Sequence, residues 1–219
     1  ARDLTEPSPL AAEILGARPY AFLDDAPLEE RRTQAVQARR WTDPQSANDL
    51  GALDSAAIDS VREEAWPDPR NADEMHDTLM ALGFVCADEA AAQARWQDWL
   101  NTLAARSRAC RVRMNDTGLD IWVACERWPV LRALHENALA TPALQAPAEF
   151  ESVAWTRESA LEELLRARMS VLGPVSVGAL AHSFAVQPSD IELAVLALER
   201  QGNLMRGHFT PGAIDEEWC

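Results

Sequence analysis

Adjacent acids and one histidine are the residue types here that could do acid–base or metal chemistry. Carboxylate pairs stand at 24–25 and 63–64, and His76 follows Glu74 by two residues. Neighbouring residues of a helix point to different faces, and no His-x-x-x-His or Glu-x-x-His spacing accompanies these acids. Helix-end charge and solvation account for both pairs, so we expect no independent catalysis by this chain.

Nucleophilic catalysis lacks its usual signatures. No G-x-S-x-G elbow occurs, and the cysteines lack the surroundings of a catalytic thiol. Cys86, Cys110, Cys125 and Cys219 show no C-x-x-C spacing and no paired histidines at ligand spacing. We therefore expect buried thiols in a reducing cytosol and no metal site.

The basic residues are 20 arginines, and the sequence contains no lysine. A P-loop, a kinase active site and a Schiff base each need a lysine. G-x-x-x-x-G-K-[ST] does not occur, so the D-E-x-H tetrapeptide at 73–76 (DEMH) has no P-loop in this chain to act with. We expect no ATP hydrolysis and no ATP or Mg²⁺ bound by these residues.

The formal net charge of −15, from 35 acidic residues and 20 arginines, opposes nonspecific binding to nucleic acid. The excess of acidic residues is distributed unevenly. Residues 1–100 contain 20 acidic residues and 9 arginines, whereas residues 101–219 contain 15 acidic residues and 11 arginines. DNA contact is therefore expected only where arginines cluster.

Arginines cluster in the stretch 106–113. Arg111 and Arg113 share one face of a predicted strand. The candidate nucleic-acid contacts in this stretch and in the helix predicted before it are Arg95, Asn101, Arg106, Arg108, Arg111 and Arg113. The equally weighted alternative is a solvated strand face whose arginines pair with Asp116 and Asp120.

A second candidate set near the C-terminus is Arg200, Arg206 and His208. The helix before it presents acids outward, where a groove-reading helix needs donors. Those acids are Asp190, Glu192 and Glu199. Packing is therefore the favoured role for this part of the chain.

Eight tryptophans raise the hypothesis of base stacking. Helical or strand spacing favours burial of Trp96, Trp99 and Trp122. Trp41, Trp66 and Trp128 end segments or adjoin proline, where we expect partly exposed rings. Trp66 is the stacking candidate.

The elements that would position these residues repeat along the chain. Capping, periodicity and turn signals predict three helices and a hairpin in residues 71–125, and three helices and a strand from about Ser159. LGFV at 82–85 aligns with LGPV at 172–175. The predicted elements are helices from Asn71 to Gly83, from Asp88 and near 96–105, strands 110–114 and 119–125, helices opening at Ser159, Pro174 and Ser189, and a strand at 203–209.

Three helices followed by a hairpin is the plan of a winged helix, a helix-turn-helix variant. We expect a mainly α, α+β fold with tandem winged-helix units after an α-helical N-terminal part. The expected parts are a bracing region at 1–70 with helices near 27–41 and from Asp54 to Ala65, a first unit at 71–134, a linker at 135–157 and a second unit at 158–219. The alternative is two small α-rich units that share only packing chemistry.

Several strings carry a family resemblance. They are EPSPL (6–10), YAFLDDAPLEERR (20–32), VREEAWP (61–67), LGPV (172–175), LALExxG (196–202), RGHFTPG (206–212) and EWC (217–219). In this order they resemble the region after the motor of bacterial large helicase-related (Lhr-type) DEAD/DEAH-box helicases. The resemblance is weakest over 86–108 and 135–155.

The resemblance implies a parent that is an ATP-dependent, 3'-to-5' DNA helicase of repair, cytoplasmic and nucleoid-associated when acting. ATP and Mg²⁺ would belong to motor domains outside this chain. Implied partners are single-stranded or duplex DNA and those motor domains. A start without Met also leads us to expect a piece of a longer protein, a processed mature protein being the alternative. No stretch of this chain is apolar enough to span a membrane.

A different class remains open: an acidic protein-interaction module that docks a basic partner. Salt-dependent DNA binding would distinguish the two classes.

Overall fold

Residues 53–114 and 117–219 are described by the computed structural model. The expected helix near 27–41, Trp41, and Asn115 and Asp116 of the expected turn lie outside the described residues. The described part is a mixed α+β structure with nine α-helices and two small antiparallel sheets. The expected α+β class is thereby confirmed.

The elements follow one another through the described part of the chain. They are α1 Ser55–Ala65, α2 Ala72–Leu82, β1 Val85–Cys86, α3 Ala87–Ala92, α4 Trp96–Ala105, β2 Ala109–Met114, β3 Leu119–Ala124, a 3₁₀ turn Cys125–Arg127, α5 Trp128–Leu134, β4 Leu139–Thr141, α6 Ala148–Glu151, α7 Arg157–Leu172, β5 Val175–Ser176, α8 Val177–Phe184, α9 Pro188–Arg200, β6 Arg206–Gly207 and β7 Glu217–Trp218.

One topology occurs twice in this order. Helix, short strand, two helices and two strands run from α2 to β3, and again from α7 to β7. The sheet orders correspond, β1-β3-β2 in the first repeat and β5-β7-β6 in the second. Val85 is paired with Trp122 and Val175 with Trp218, so aligned valines occupy equivalent registers.

Helix starts were predicted from capping residues, and several are confirmed. The Asp54 carboxylate accepts a hydrogen bond from the Ala56 amide, and α1 ends before Pro67. The Asn71 side chain accepts from the amides of Asp73 and Glu74. These side chains satisfy amides that a helix leaves without partners in its first turn.

Two capping predictions in the second repeat are wrong. The capping box of α7 is Thr156 with Ser159, three residues before the predicted box at Ser159. Helix α9 begins at Pro188 after Gln187 and has no side-chain cap, so the expected box at Ser189 is absent. Proline already suits the first helical position, which explains this start.

Helix α7 belongs to the second repeat, yet it also packs on the first. Leu164 is fully buried in a core that contains Phe84 of the first repeat and Phe184 of the second. Those two phenyl rings meet edge to face at 5.0 Å between centroids. Residues Leu53–Cys219 consequently form one compact unit.

The segment 135–157, expected as a linker, contributes elements of its own. Strand β4 pairs with β2, placing Thr141 opposite Arg111 and Leu139 opposite Arg113. The outer edge of β2 is therefore covered, and the first sheet has four strands.

Glu217 holds the C-terminal loop in place through hydrogen bonds. Its carboxylate accepts hydrogen bonds from the amides of Phe209 and Thr210 and from the Thr210 hydroxyl. Burial acts to raise the pKa of Glu217, but these donors outweigh it and hold the pKa below its ordinary value. The RGHFTPG and EWC strings are thus in direct contact.

Every helix among the described residues is too short or too polar to cross a bilayer.

Candidate nucleic-acid interface

Helix α4 holds two of the candidate arginines at its ends. Trp96, Leu100 and Leu103 recur at spacings of four and three and are buried, which anchors the helix. Arg95 is its N-cap residue and Arg106 its C-cap residue. Eleven residues return a helix to nearly the same angle, so both lie on one side, separated by roughly 16 Å of axial rise.

The side chains of Arg95 and Arg106 are available to a ligand. Both residues are exposed. Within residues 53–114 and 117–219, neither guanidinium forms an ion pair, although Arg106 is near enough to Asp73 for its charge to help lower the pKa of that carboxyl. Asp98 and Thr102 lie between them on the same side, and Thr102 donates to the Asp98 carbonyl. We call Arg95, Asp98, Thr102 and Arg106 the α4 face.

The strand arginines are held by an acid, as the alternative interpretation proposed. Arg111 donates from Nε and Nη2 to the two carboxylate oxygens of Asp120, at 2.6 and 2.7 Å. Arg113 donates to the same carboxylate at 3.2 Å. The hydrogen bond from Arg111 is the main reason that the pKa of Asp120 lies below its ordinary value. Phosphate binding by these arginines requires the ion pairs to open.

Two more first-repeat candidates also have partners. Arg108 forms an ion pair with Asp73, whose pKa is lowered by this hydrogen bond and by the charges of Arg108 and Arg106. Asn101 accepts a hydrogen bond from Gln97 at 3.3 Å. Both contacts are exposed at the surface, and salt screens the ion pair of Arg108 with Asp73.

In the second repeat, Arg206 lies 3.8 Å from Glu199 and 3.7 Å from Glu216, and its guanidinium is 5.9 Å from the centre of the Trp218 ring. Arg200 and His208 are exposed. A cleft of about 390 Å³ borders this strand pair, and its acidic lining residues are Glu192, Asp215 and Glu216. Arg206 is the basic residue of that lining, so its surroundings are unfavourable for a phosphate.

The stacking candidate Trp66 is partly buried, and its ring already has neighbours. It stacks on Trp96 with centroids 6.2 Å apart and planes 7° apart, and the Arg168 guanidinium lies 5.8 Å from its centre. A base would have to displace one of these contacts. Trp96 and Trp122 are buried as predicted, whereas Trp99 is only partly buried. Trp128 is also buried, so its predicted exposure is wrong.

Three side chains that could bind a metal, one of them distant in sequence from the other two, meet in the structure. His76 and the pair Cys125 and Glu126 are about 50 residues apart, yet their ligand atoms lie within 4.8 Å of one another. Burial raises the pKa of the Cys125 thiol to about 11. Burial also acts to raise the pKa of Glu126, but hydrogen bonds from Cys125, its own backbone and His76 hold it below its ordinary value. No local spacing signals this cluster, because the fold of α2 onto β3 creates it.

We expect Asp120→Asn to strengthen DNA binding, because it releases Arg111 and Arg113 to meet phosphates. The slope of log affinity against log salt should steepen by up to about 0.9 per phosphate newly neutralised on duplex DNA. Glu151→Gln is the matched control, since it removes one acid that holds the exposed Arg132 at 2.9 Å. Equal strengthening by both variants would show that only net charge matters. The measurement is fluorescence anisotropy over a salt series.

Comparison with known proteins yields no identification. No protein-family model matches the chain, and no curated protein matches it.

Proposed function

We propose that this chain is a non-catalytic accessory module of a bacterial Lhr-type, ATP-dependent DNA helicase of repair, built from tandem winged-helix units. The first unit contacts translocated DNA through the α4 face, and the second packs against protein. The parent's ATP and Mg²⁺ are bound by motor domains. The module acts in the bacterial cytoplasm, at the nucleoid.

The repeated topology is the observation that carries the proposal. Helix, strand, helix, helix and two strands, with the first strand beside the last, suits a winged helix whose third helix and hairpin face a ligand. The third helices are α4 and α9, and the hairpins are β2-β3 and β6-β7. The resemblance of seven strings to the Lhr-type family supports the same interpretation.

Charge separates the roles of the two units. Within residues 53–114 and 117–219, the two arginines of the α4 face form no ion pair, whereas the charged residues lining the cleft beside α9 are three acids and one arginine. Leu193 on α9 is 71% exposed, which suits packing better than contact with DNA. The second unit is therefore assigned to protein contacts.

A groove between α1 and α7 provides a further surface for the rest of the polypeptide. It measures about 360 Å³ and is mostly apolar, with Ile58, Val61, Met169 and Pro174 in its lining. Arg62 of α1 fixes one wall by donating to the Leu172 carbonyl at 2.9 Å. Such a groove suits the expected bracing role.

Binding of labelled single-stranded and duplex DNA tests the proposal. Weak binding is expected at about 50 mM salt, falling as salt rises, with a slope that counts the phosphates contacted. Undetectable binding at low salt for both DNAs would remove direct DNA contact from the proposal.

The second candidate function is an acidic protein-interaction module without DNA contact. Its supporting observation is that Asp73 and Asp120 hold three arginines of the first repeat. Capture of a basic protein together with undetectable DNA binding would favour it.

A further inference from the structure

We propose that His76, Cys125 and Glu126 bind one Zn²⁺ ion. The site is independent of the proposed DNA contact and uses none of the α4 face. Helix α2 supplies His76, and the 3₁₀ turn after β3 supplies Cys125 and Glu126.

The geometry brings three ligand atoms within 4.8 Å of one another. His76 Nε2 lies 3.0 Å from Glu126 Oε2, and Cys125 Sγ lies 3.1 Å from the same oxygen. Tetrahedral zinc with ordinary bond lengths needs ligand atoms about 3.3–3.6 Å apart. The two contacts with Glu126 therefore need to lengthen by only a few tenths of an ångström.

The chemistry of the three groups selects the metal. An imidazole nitrogen, a thiolate and a carboxylate oxygen are the three ligand types of protein zinc sites. Mg²⁺ and Ca²⁺ prefer all-oxygen sites, so the histidine and the cysteine disfavour them. With two anionic ligands and a neutral imidazole, the site balances the charge of one Zn²⁺.

The ligands are buried and held by elements that are already folded. His76 and Cys125 are each 7% exposed. The Cys125 amide donates to the Arg108 carbonyl at 2.9 Å, which fixes the turn. Glu126 is the more exposed ligand, with 18% of its side chain accessible. An ion therefore enters past Glu126, and water occupies the fourth position.

Binding exchanges hydrogen bonds for metal bonds. The thiol proton, which Cys125 donates to Glu126, is released to solvent as the sulfur–zinc bond forms. The proton that His76 Nε2 donates to Glu126 leaves to solvent as Nδ1 takes one up, so the neutral imidazole binds the ion through Nε2 and Glu126 binds it through a carboxylate oxygen. No electron is transferred, and Zn²⁺ is the sole species added besides water.

The test uses the 219-residue chain, freed of metal with a chelator and titrated with Co²⁺. One equivalent should bind, with a thiolate-to-cobalt charge-transfer band, and Zn²⁺ should displace it. Cys125→Ser should remove the band. His76→Gln should weaken binding by at least about tenfold, since even residues behind the ligands change metal affinity 10- to 100-fold. Cys219→Ser is the matched control, because this thiol is exposed, contrary to its predicted burial, and lies outside the cluster.

Absence of the band in the native chain would overturn the site. Its persistence in Cys125→Ser, or its loss in Cys219→Ser, would also do so. Circular dichroism of each metal-free variant checks folding. If Cys125→Ser does not fold, Glu126→Gln keeps the thiol and should retain the band while weakening Co²⁺ binding at least about tenfold. Unchanged affinity in Glu126→Gln would contradict the proposal.

Discussion

Glu89→Gln is expected to destabilise the protein by about 3–5 kcal/mol, because it leaves a buried guanidinium without its counter-charge. The side chain of Arg168 is only 2% exposed, and its Nη2 lies 2.5 Å from Glu89. Its other Nη donates to Glu89 at 3.3 Å and to the Phe84 carbonyl at 3.4 Å, and its Nε has no hydrogen-bond partner within residues 53–114 and 117–219. Glu89 is thus the one carboxylate among the described residues that is paired with this charge. Urea unfolding measures the loss.

Glu163→Gln is the matched control for this prediction. Glu163 is about as exposed as Glu89, but its arginine partners Arg127 at 2.8 Å and Arg166 at 2.9 Å are 21% and 42% exposed, against 2% for Arg168. Solvent screens such a pair, so the expected loss is at most about 1 kcal/mol. Equal losses for Glu89→Gln and Glu163→Gln would contradict the assigned role of the buried charge. Arg168→Met should cost less than Glu89→Gln, since it removes the buried charge itself.

Gly83→Ala is expected to cost about 2–5 kcal/mol, from a left-handed backbone and an overpacked contact together. Gly83 ends α2 with φ of +79°, and an added Cβ would lie 2.8 Å from Leu164 Cδ2. Leu164 is fully buried, so it has little room to move. The glycine is what lets the first repeat approach α7 closely.

Gly202→Ala separates the two causes. Gly202 follows α9 with φ of +75°, but nothing lies within 4 Å of an added Cβ. Only the backbone cost of about 1–2 kcal/mol is expected there. Losses of equal size in thermal or urea unfolding would show that the contact with Leu164 adds nothing.

Much of the fold was predictable because local patterns dominate it. The apolar spacing of Trp96, Leu100 and Leu103 predicts α4, and the structure confirms its bounds. Alternation and turn residues predict the hairpin of β2 and β3 within one residue at its outer ends. Strands β1 and β5 were not predicted, since two residues carry no alternation to detect.

Tertiary pairing limited the prediction of the site. The shared face of Arg111 and Arg113 follows from strand geometry, and Asp120 was named as their alternative partner. Burial of Arg168 has no local signal, because its partner Glu89 lies 79 residues away. His76 and Glu126 are likewise joined only by the packing of α2 on the sheet. Contacts at such separations are visible only in the folded chain.

The salt dependence of DNA binding by Arg95→Gln/Arg106→Gln tests the central claim most directly. The double variant removes both arginines of the α4 face, neither of which forms an ion pair within the described part of the chain. Arg132→Gln/Arg166→Gln is the matched control, since it removes two exposed arginines that are paired with acids. We expect weaker binding by the α4 double variant and a salt slope lower by about 1.4–1.8, with little change in the control. Unchanged affinity and slope in the α4 double variant would contradict it.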